Sequence, residues 1–441
     1  MKISRRKVVL GASAVACLRP WASVAQDRLR IEITEGVVEP MPLAIPEFVA
    51  VSEGAAIMAR QISQVVRDDL INTGLFREIP QEAHIGRIAA FDAQVQYSDW
   101  SVINAQALVT GGVAQSGDRI EVSFRLYDVF GQTAIGDGLK FDGTTRSWRR
   151  MAHKVADSVY SRLTGESPYF DSRVAYIAAS GPKSARRKQL AIMDYDGQNS
   201  SFLTDGSYLV LTPRLSKSAG QILYTSYETG RPGIFLLKGS GERREILADA
   251  GQMTFAPRFS TDEQRAVLSV SSGTGSDIYV TDLNSGGLSR LTQTSSIDTA
   301  PCFSPDGGQI VFESDRAGSQ QIYVMPSGGG EAKRISFGDG RYATPVWSPR
   351  GDRIAFTKIV GGRFHIGVMS PDGQNERLLT ASYIDEGPTW SPNGRVIMFF
   401  RETAGDQGGP QIYSVDITGR NLRQVPTNGF ASDPSWSGLL A

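Results

Sequence analysis

Three histidines and two cysteines are the whole stock of side chains in this chain that serve readily as neutral-pH bases, thiolate nucleophiles or soft metal ligands. His84, His153 and His365 stand far apart and form neither a His-Glu-x-x-His nor a His-x-Glu pattern, so no zinc-hydrolase helix is written here. Each reads as a surface or locally bonded residue. No Gly-x-Ser-x-Gly elbow occurs, which removes the usual serine nucleophile of α/β-hydrolases. A Walker loop and a dinucleotide fingerprint are missing as well. Asp194-Tyr195-Asp196-Gly197 faintly resembles a calcium loop, but it lacks the twelve-residue spacing and the closing Glu, and it reads as a turn. No catalytic, cofactor-binding or metal-binding residue is therefore assigned, and no cofactor is expected. The side chains point to binding rather than turnover.

Composition agrees with that direction. At 441 residues the chain suits two or three domains. Lys plus Arg and Asp plus Glu both number 46, with no basic block, so nucleic acid is not an expected partner. The 47 glycines, 14 tyrosines and 6 tryptophans favour turns and strands over a helical bundle.

Residues 1–25 read as a cleaved export signal. Lys2, Arg5, Arg6 and Lys7 open it, an apolar run follows over 8–18, and Ser23-Val24-Ala25 sets small residues at the cleavage positions. Ser4-Arg5-Arg6-Lys7-Val8-Val9-Leu10 resembles a twin-arginine motif, and an ordinary secretory signal fits equally well. No later stretch approaches the roughly 18 apolar residues of a membrane helix, so a soluble periplasmic chain without a direct membrane span is expected. Cleavage would leave 41 basic against 46 acidic residues, a net charge of −5, and Cys302 as the lone cysteine.

The strongest signal is repetition. Pro345-Val346-Trp347-Ser348-Pro349 has counterparts at Pro301-Cys302-Phe303-Ser304-Pro305 and Pro388-Thr389-Trp390-Ser391-Pro392. Weaker copies start at Pro213, Pro257 and Pro434, and the leading prolines are 44, 44, 44, 43 and 46 residues apart. After each copy come a turn such as Asp306-Gly307, an apolar strand such as Gln309-Ile310-Val311-Phe312, a second strand such as Ile322-Tyr323-Val324, and a short outer strand. Four short strands per unit of this length predict propeller blades. The first unit, at Arg173-Val174-Ala175-Tyr176-Ile177, lacks its leading strand, and the last copy, Pro434-Ser435-Trp436-Ser437, lacks everything after it. The C-terminal segment is therefore expected to supply the innermost strand of the first of six blades, closing the ring and hiding its edges. The motif Trp and Phe residues read as packing between blades.

Residues 26–165 have another texture. Ile57, Met58, Ile62, Val65, Val66 and Leu70 mark a helix face, with Ser52 as its cap and Gly74 as its stop. Ile120, Val122, Phe124 and Leu126 alternate with polar residues and turn back onto 107–113 as a hairpin. Trp148, Met151, Val155, Val159 and Leu163 mark a second helix ending at Gly165. This predicts a small α/β domain with its helices on one face of a sheet, followed by the all-β six-bladed propeller over 166–441. Leu29, Ile31 and Ile33 alternate in the first mature stretch, residues 26–34, which reads as an edge strand or as a free arm able to join a partner's sheet.

An export signal, a small α/β domain and six blades with motifs such as Ser304-Pro305-Asp306-Gly307 and Ile322-Tyr323-Val324-Met325 together resemble the TolB family of the Tol-Pal envelope system. The resemblance spans the whole mature chain. It implies a non-enzymatic adaptor that supports outer-membrane integrity and constriction at cell division. Its implied partners are a Pal-like lipoprotein at one propeller face and a TolA-like inner-membrane protein at the mature N-terminus. Carried onto this chain, the lipoprotein face includes Met253, Thr254, Ala256, Asp298 and Thr299 just before motif prolines, and the TolA-binding arm holds Leu29, Ile31 and Ile33. Where the family often has a His, this chain has Met253. A monomer is expected. The competing reading is a peptidase-related propeller enzyme or small-molecule binder that uses the channel, and a turnover assay separates the two.

Overall fold

The computed structural model describes residues 29–31, 39–247, 252–271, 273–405 and 408–441. The export-signal residues 1–25 and Ile33 lie outside the described residues. Among those described, no helix is long and apolar enough to cross a membrane.

The N-terminal domain runs β1 (Met41–Ala44), β2 (Val49–Ala50), α1 (Ala56–Ile71), β3 (Phe76–Glu78), α2 (Tyr97–Ser101), β4 (Ala107–Ser116), β5 (Arg119–Asp128), β6 (Thr133–Ala134), β7 (Leu139–Thr144) and α3 (Trp148–Thr164). β1 lies parallel to β3 and β4. β4 and β5 form the predicted hairpin, in unbroken register from Ala107↔Asp128 to Ser116↔Arg119.

Ala59, Ile62, Val66 and Leu70 bury the inner face of α1, at helical spacing, whereas Ile57 points outward at 67% exposure. Ser52 does not cap α1. Its hydroxyl accepts from the Gln115 amide (2.7 Å) and donates to the Gln115 carbonyl (3.0 Å), fastening the helix approach to β4. α3 does end at Gly165, whose φ of 70° gives the left-handed cap that glycine adopts without strain. Both helices pack on one sheet face. The other face is not left bare: Trp100, Val95, Ile79 and Val129 form a second small core over Leu108 and Tyr127.

Six four-stranded antiparallel sheets follow, blade one and then blades two to six over 210–245, 254–290, 298–334, 341–378 and 384–424. Blade one takes strands Ser172–Ser180, Arg187–Asp194 and Ser201–Phe202 from its own stretch. Its innermost strand is Phe430–Leu439, paired antiparallel with Ser172–Ser180 (Trp436↔Val174). The ring closes with its own C-terminal segment, as the orphan ends require. Motif serines hold the turns: Ser304 Oγ bonds the Asp306 carboxylate (2.5 Å) and accepts from the Gln309 amide (2.9 Å). Motif tryptophans link neighbours: Trp390 Nε1 donates to the Val346 carbonyl of blade five (3.0 Å).

One hydrophobic core runs from α1 and α3 into blades one and six, joining Leu163, Tyr169, Phe170, Tyr195, Met398 and Trp436. At its centre His153 is 2% exposed. Its Nδ1 meets Asp69 Oδ2 at 2.7 Å, and Tyr195 Oη donates to Asp69 Oδ1 at 2.6 Å. His153 is thus neither a surface residue nor a locally bonded one; it ties α3 to α1 and, through Asp69, to the propeller. Burial works against its imidazolium, but Asp69, Asp196 and Asp194 outweigh that and push its pKa up to about 9. A ring nitrogen of His153 and carboxylate oxygens of Asp194 and Asp196 lie within 4.8 Å of one another. Arg149 already ion-pairs with both carboxylates, so the turn serves as a seam between domains. The linker is pinned too, by Glu166 against Arg350 and Arg395.

Candidate functional site

The strands of each blade alternate in direction, so every loop that enters an innermost strand lies at one mouth of the ring. The Ser-Pro turns and the N-terminal domain lie at the other. The entering strands are Val210–Leu215, Thr254–Phe259, Asp298–Phe303, Arg341–Trp347, Ile384–Trp390 and Phe430–Leu439. In all six, the residue before the motif proline has positive φ: Thr212 45°, Ala256 50°, Ala300 51°, Thr344 48°, Gly387 65° and Asp433 53°. A register shift sits at the same place in all six strands. Side chains rarely adopt this conformation, and a following proline disfavours neighbouring alternatives, so these bulges are held by their surroundings. Thr344, for example, donates its amide to Glu313 Oε2 at 2.6 Å. Burial pushes the Glu313 carboxyl up to about 7 in spite of that bond.

Just upstream of the bulges stands a rim of exposed large apolar side chains: Tyr208, Leu209, Met253, Ile297, Phe337 and Tyr383. Phe337 is 73% exposed and Tyr383 59%. Large apolar side chains gathered at one end of a molecule mark a contact surface. Beneath the rim, charged pairs fix the loops. Arg316 Nη2 reaches both carboxylate oxygens of Asp298 (2.9 and 2.8 Å), and the Arg316 Cζ lies 4.8 Å from the Tyr323 ring centre. Blade six repeats this with Arg401 on Asp385 (2.7 and 2.8 Å) and 4.9 Å from the Tyr413 ring centre. The rim is therefore apolar on a rigid, polar-stapled base.

The five residues assigned to the lipoprotein face fall in two classes. Met253 is exposed, Ala256 occupies its bulge, and Thr299 is half-buried, accepting from the Ser269 hydroxyl (3.2 Å). Thr254 is 2% exposed and Asp298 fully buried, so these two shape the loops from below. Tyr208, Phe337 and Tyr383 escaped the sequence reading. Their signal is positional: Tyr208, Met253, Ile297 and Tyr383 each stand four or five residues before a motif proline.

The described arm residues, 29–31, lie at the opposite end. Ile31 is buried, and its amide donates to the Leu163 carbonyl at the end of α3 (2.7 Å). Arg30 Nε donates to the Thr164 carbonyl (3.2 Å), and Leu29 packs on the shared core. Residues 29–31 form no strand in the domain's sheet. They dock instead beside the interdomain linker.

Comparison with known proteins matches this arrangement. Residues 29–135 match the TolB amino-terminal domain and residues 160–440 the TolB beta propeller domain. The Tol-Pal system protein TolB of Dinoroseobacter shibae is 63% identical over 93% of both chains, and that of Roseobacter denitrificans is 62% identical over 93% of both. The crystal structure of TolB from Acinetobacter baumannii superimposes with a TM-score of 0.80 at 29% identity, covering 93% of this chain and 100% of that one.

Proposed function

This chain belongs to the TolB family, and from that premise we propose that it is a non-enzymatic periplasmic adaptor of the Tol-Pal system. Residues 1–25 direct export, 26–165 form the N-terminal domain and 166–441 the propeller. The distal propeller mouth binds a Pal-like lipoprotein, and the mature N-terminal arm binds a TolA-like inner-membrane protein. Through these two contacts the monomer supports outer-membrane integrity and constriction at division. The observation that carries this reading is the apolar rim around Met253, Ile297, Phe337 and Tyr383, set on loops that buried ion pairs hold still. A preformed apolar face of this kind suits a folded protein partner, because little order has to be imposed on binding.

The arm reading rests on Leu29, Ile31 and Ile33. The docked position of Leu29 and Ile31 supports a two-state arm, lying on α3 or released to a partner's sheet edge. If the lipoprotein favours one arm state, linkage requires equal and reciprocal effects on both affinities, about 5–150-fold in allosteric proteins. The test titrates the TolA-like periplasmic domain against mature protein with and without residues 26–34, each with and without the lipoprotein. Equal binding by the truncated protein overturns the arm assignment, and an affinity indifferent to the lipoprotein overturns the coupling alone. Hydrolysis of a peptide or small substrate by the pure protein would overturn the adaptor reading itself.

A further inference from the structure

The residue after each motif proline faces the channel, and the six together form one ring: Arg214, Arg258, Cys302, Val346, Thr389 and Ser435. Two neighbours in that ring, on blades two and three, are arginines, and no member of it is acidic. They line a cavity of ≈ 570 Å³ that the linker residues Ser167 and Pro168 roof over.

Half-buried guanidiniums on this molecule find carboxylates, as Arg316 and Arg401 do. Among the described residues, Arg214 and Arg258 form no ion pair. Arg214 Nη1 reaches only the adjoining Pro213 carbonyl (2.8 Å), and its Nε is buried without a partner. Asp433 offsets part of the Arg214 charge without pairing to it. Burial and the Arg258 charge push the Arg214 pKa down to about 9, as expected for two like charges sharing a poorly solvated space. The same ring supplies hydroxyls, Ser435 beside Arg214 and Thr389 on blade six. Thr389 Oγ1 accepts from the Trp436 amide (3.1 Å) and Ser435 Oγ from the Leu215 amide (2.9 Å), which leaves both hydroxyl protons free to donate.

We propose that this channel is an anion site, in which a small tetrahedral oxyanion of the phosphate or sulfate class bridges the guanidiniums of Arg214 and Arg258 and accepts from Thr389 and Ser435. The planar fork of arginine matches two oxygens of such an ion, and the doubly charged ion neutralises both side chains at once. The cavity holds the ion with part of its water. Because the site lies under the interdomain linker, its occupancy stabilises the joined two-domain state. This inference is independent of the adaptor reading.

The mature protein, exchanged into a chloride buffer, is melted with phosphate, sulfate, acetate or added chloride at matched ionic strength. Phosphate and sulfate should raise Tm by about 2–5 °C at concentrations well above Kd, with chloride and acetate inert. Arg258→Gln and Arg214→Gln should abolish the phosphate-dependent shift. Crystals of the unmodified protein soaked in selenate should show an anomalous selenium peak between the two guanidiniums, which tests the site even if a variant fails to fold. No phosphate-dependent shift, an equal shift in both variants, a response to acetate alone, or an empty channel in the selenate crystals would each overturn the proposal.

Discussion

At the mouth facing the N-terminal domain, polar groups are paired and several are buried: His153 with Asp69, Asp69 with Tyr195, Arg149 with Asp196, Glu166 with Arg350 and Arg395. At the far mouth the same blade repeat leaves Met253, Ile297, Phe337 and Tyr383 in solvent. The two ends share strand length, turn chemistry and period. They differ in whether a neighbour is already in place. At the near end the chain brings its own partner, so these charges are matched, with the channel arginines Arg214 and Arg258 the exception. At the far end the apolar surface has no cover among the described residues, and its loops are stiffened from beneath by Asp298–Arg316 and Asp385–Arg401. A joint completed within the chain and an apolar face open among the described residues thus look opposite even when built from one motif.

The sharpest way to break that contrast is to remove residues 434–441. This strips most of the innermost strand from blade one, opens the edge of Ser172–Ser180, and deletes Trp436, which stacks on Tyr195 at 6.2 Å in the near-end joint. The loss should exceed the ~3–5 kcal/mol expected for a buried tryptophan alone, and the protein should aggregate. Unchanged thermal unfolding would sink the closure.

A smaller break is Asp69→Ala, which leaves His153 and Tyr195 buried without their shared carboxylate. A destabilisation of about 3–5 kcal/mol in urea melts is expected. The His153 pKa is raised in the fold, so its contribution is complete below the ordinary value of 6.5 and fades as pH rises through about 9. Asp69→Asn should flatten that part of the stability profile; a profile that keeps its slope would remove His153 from the joint's electrostatics.

Smaller again in stability, but large in binding, is the rim change Ile297→Asp with Phe337→Asp. Both side chains are exposed, so unfolding should shift by no more than about 0.5 kcal/mol per site. Affinity for the Pal-like lipoprotein should fall at least ~10-fold, or about 1.4 kcal/mol. Unaltered affinity, measured by calorimetry, would move the docking face elsewhere.

The smallest expected effect is Cys302→Ser. Cys302 is buried in the channel ring, where other blades carry Thr389, Val346 and Ser435, and its Sγ meets the Phe303 carbonyl at 3.5 Å. Folding and partner binding should change by less than about 1 kcal/mol. Lost binding with an intact melt would instead mark a functional thiol.

Much of this molecule is local and therefore legible. The 44-residue period, the turn serines and glycines, the helix stop at Gly165 and the orphan first and last strands all follow from spacing along the chain, because each blade's grammar is set within four or five residues. The family motifs are of the same kind. Four outcomes were decided only by packing. Ile57 carries the apolar type of the α1 stripe, yet rotation about the helix axis puts it in water. Asp298 has the type and position of a contact residue, yet Arg316, brought across by strand pairing, draws it fully inside. Trp100 and its neighbours cover a sheet face that no periodicity marked. The His153–Asp69–Tyr195 joint links residues 84 and 126 positions apart. Each is a polar or apolar side chain whose role depends on which surface arrives opposite it, and that surface belongs to a distant segment of the chain.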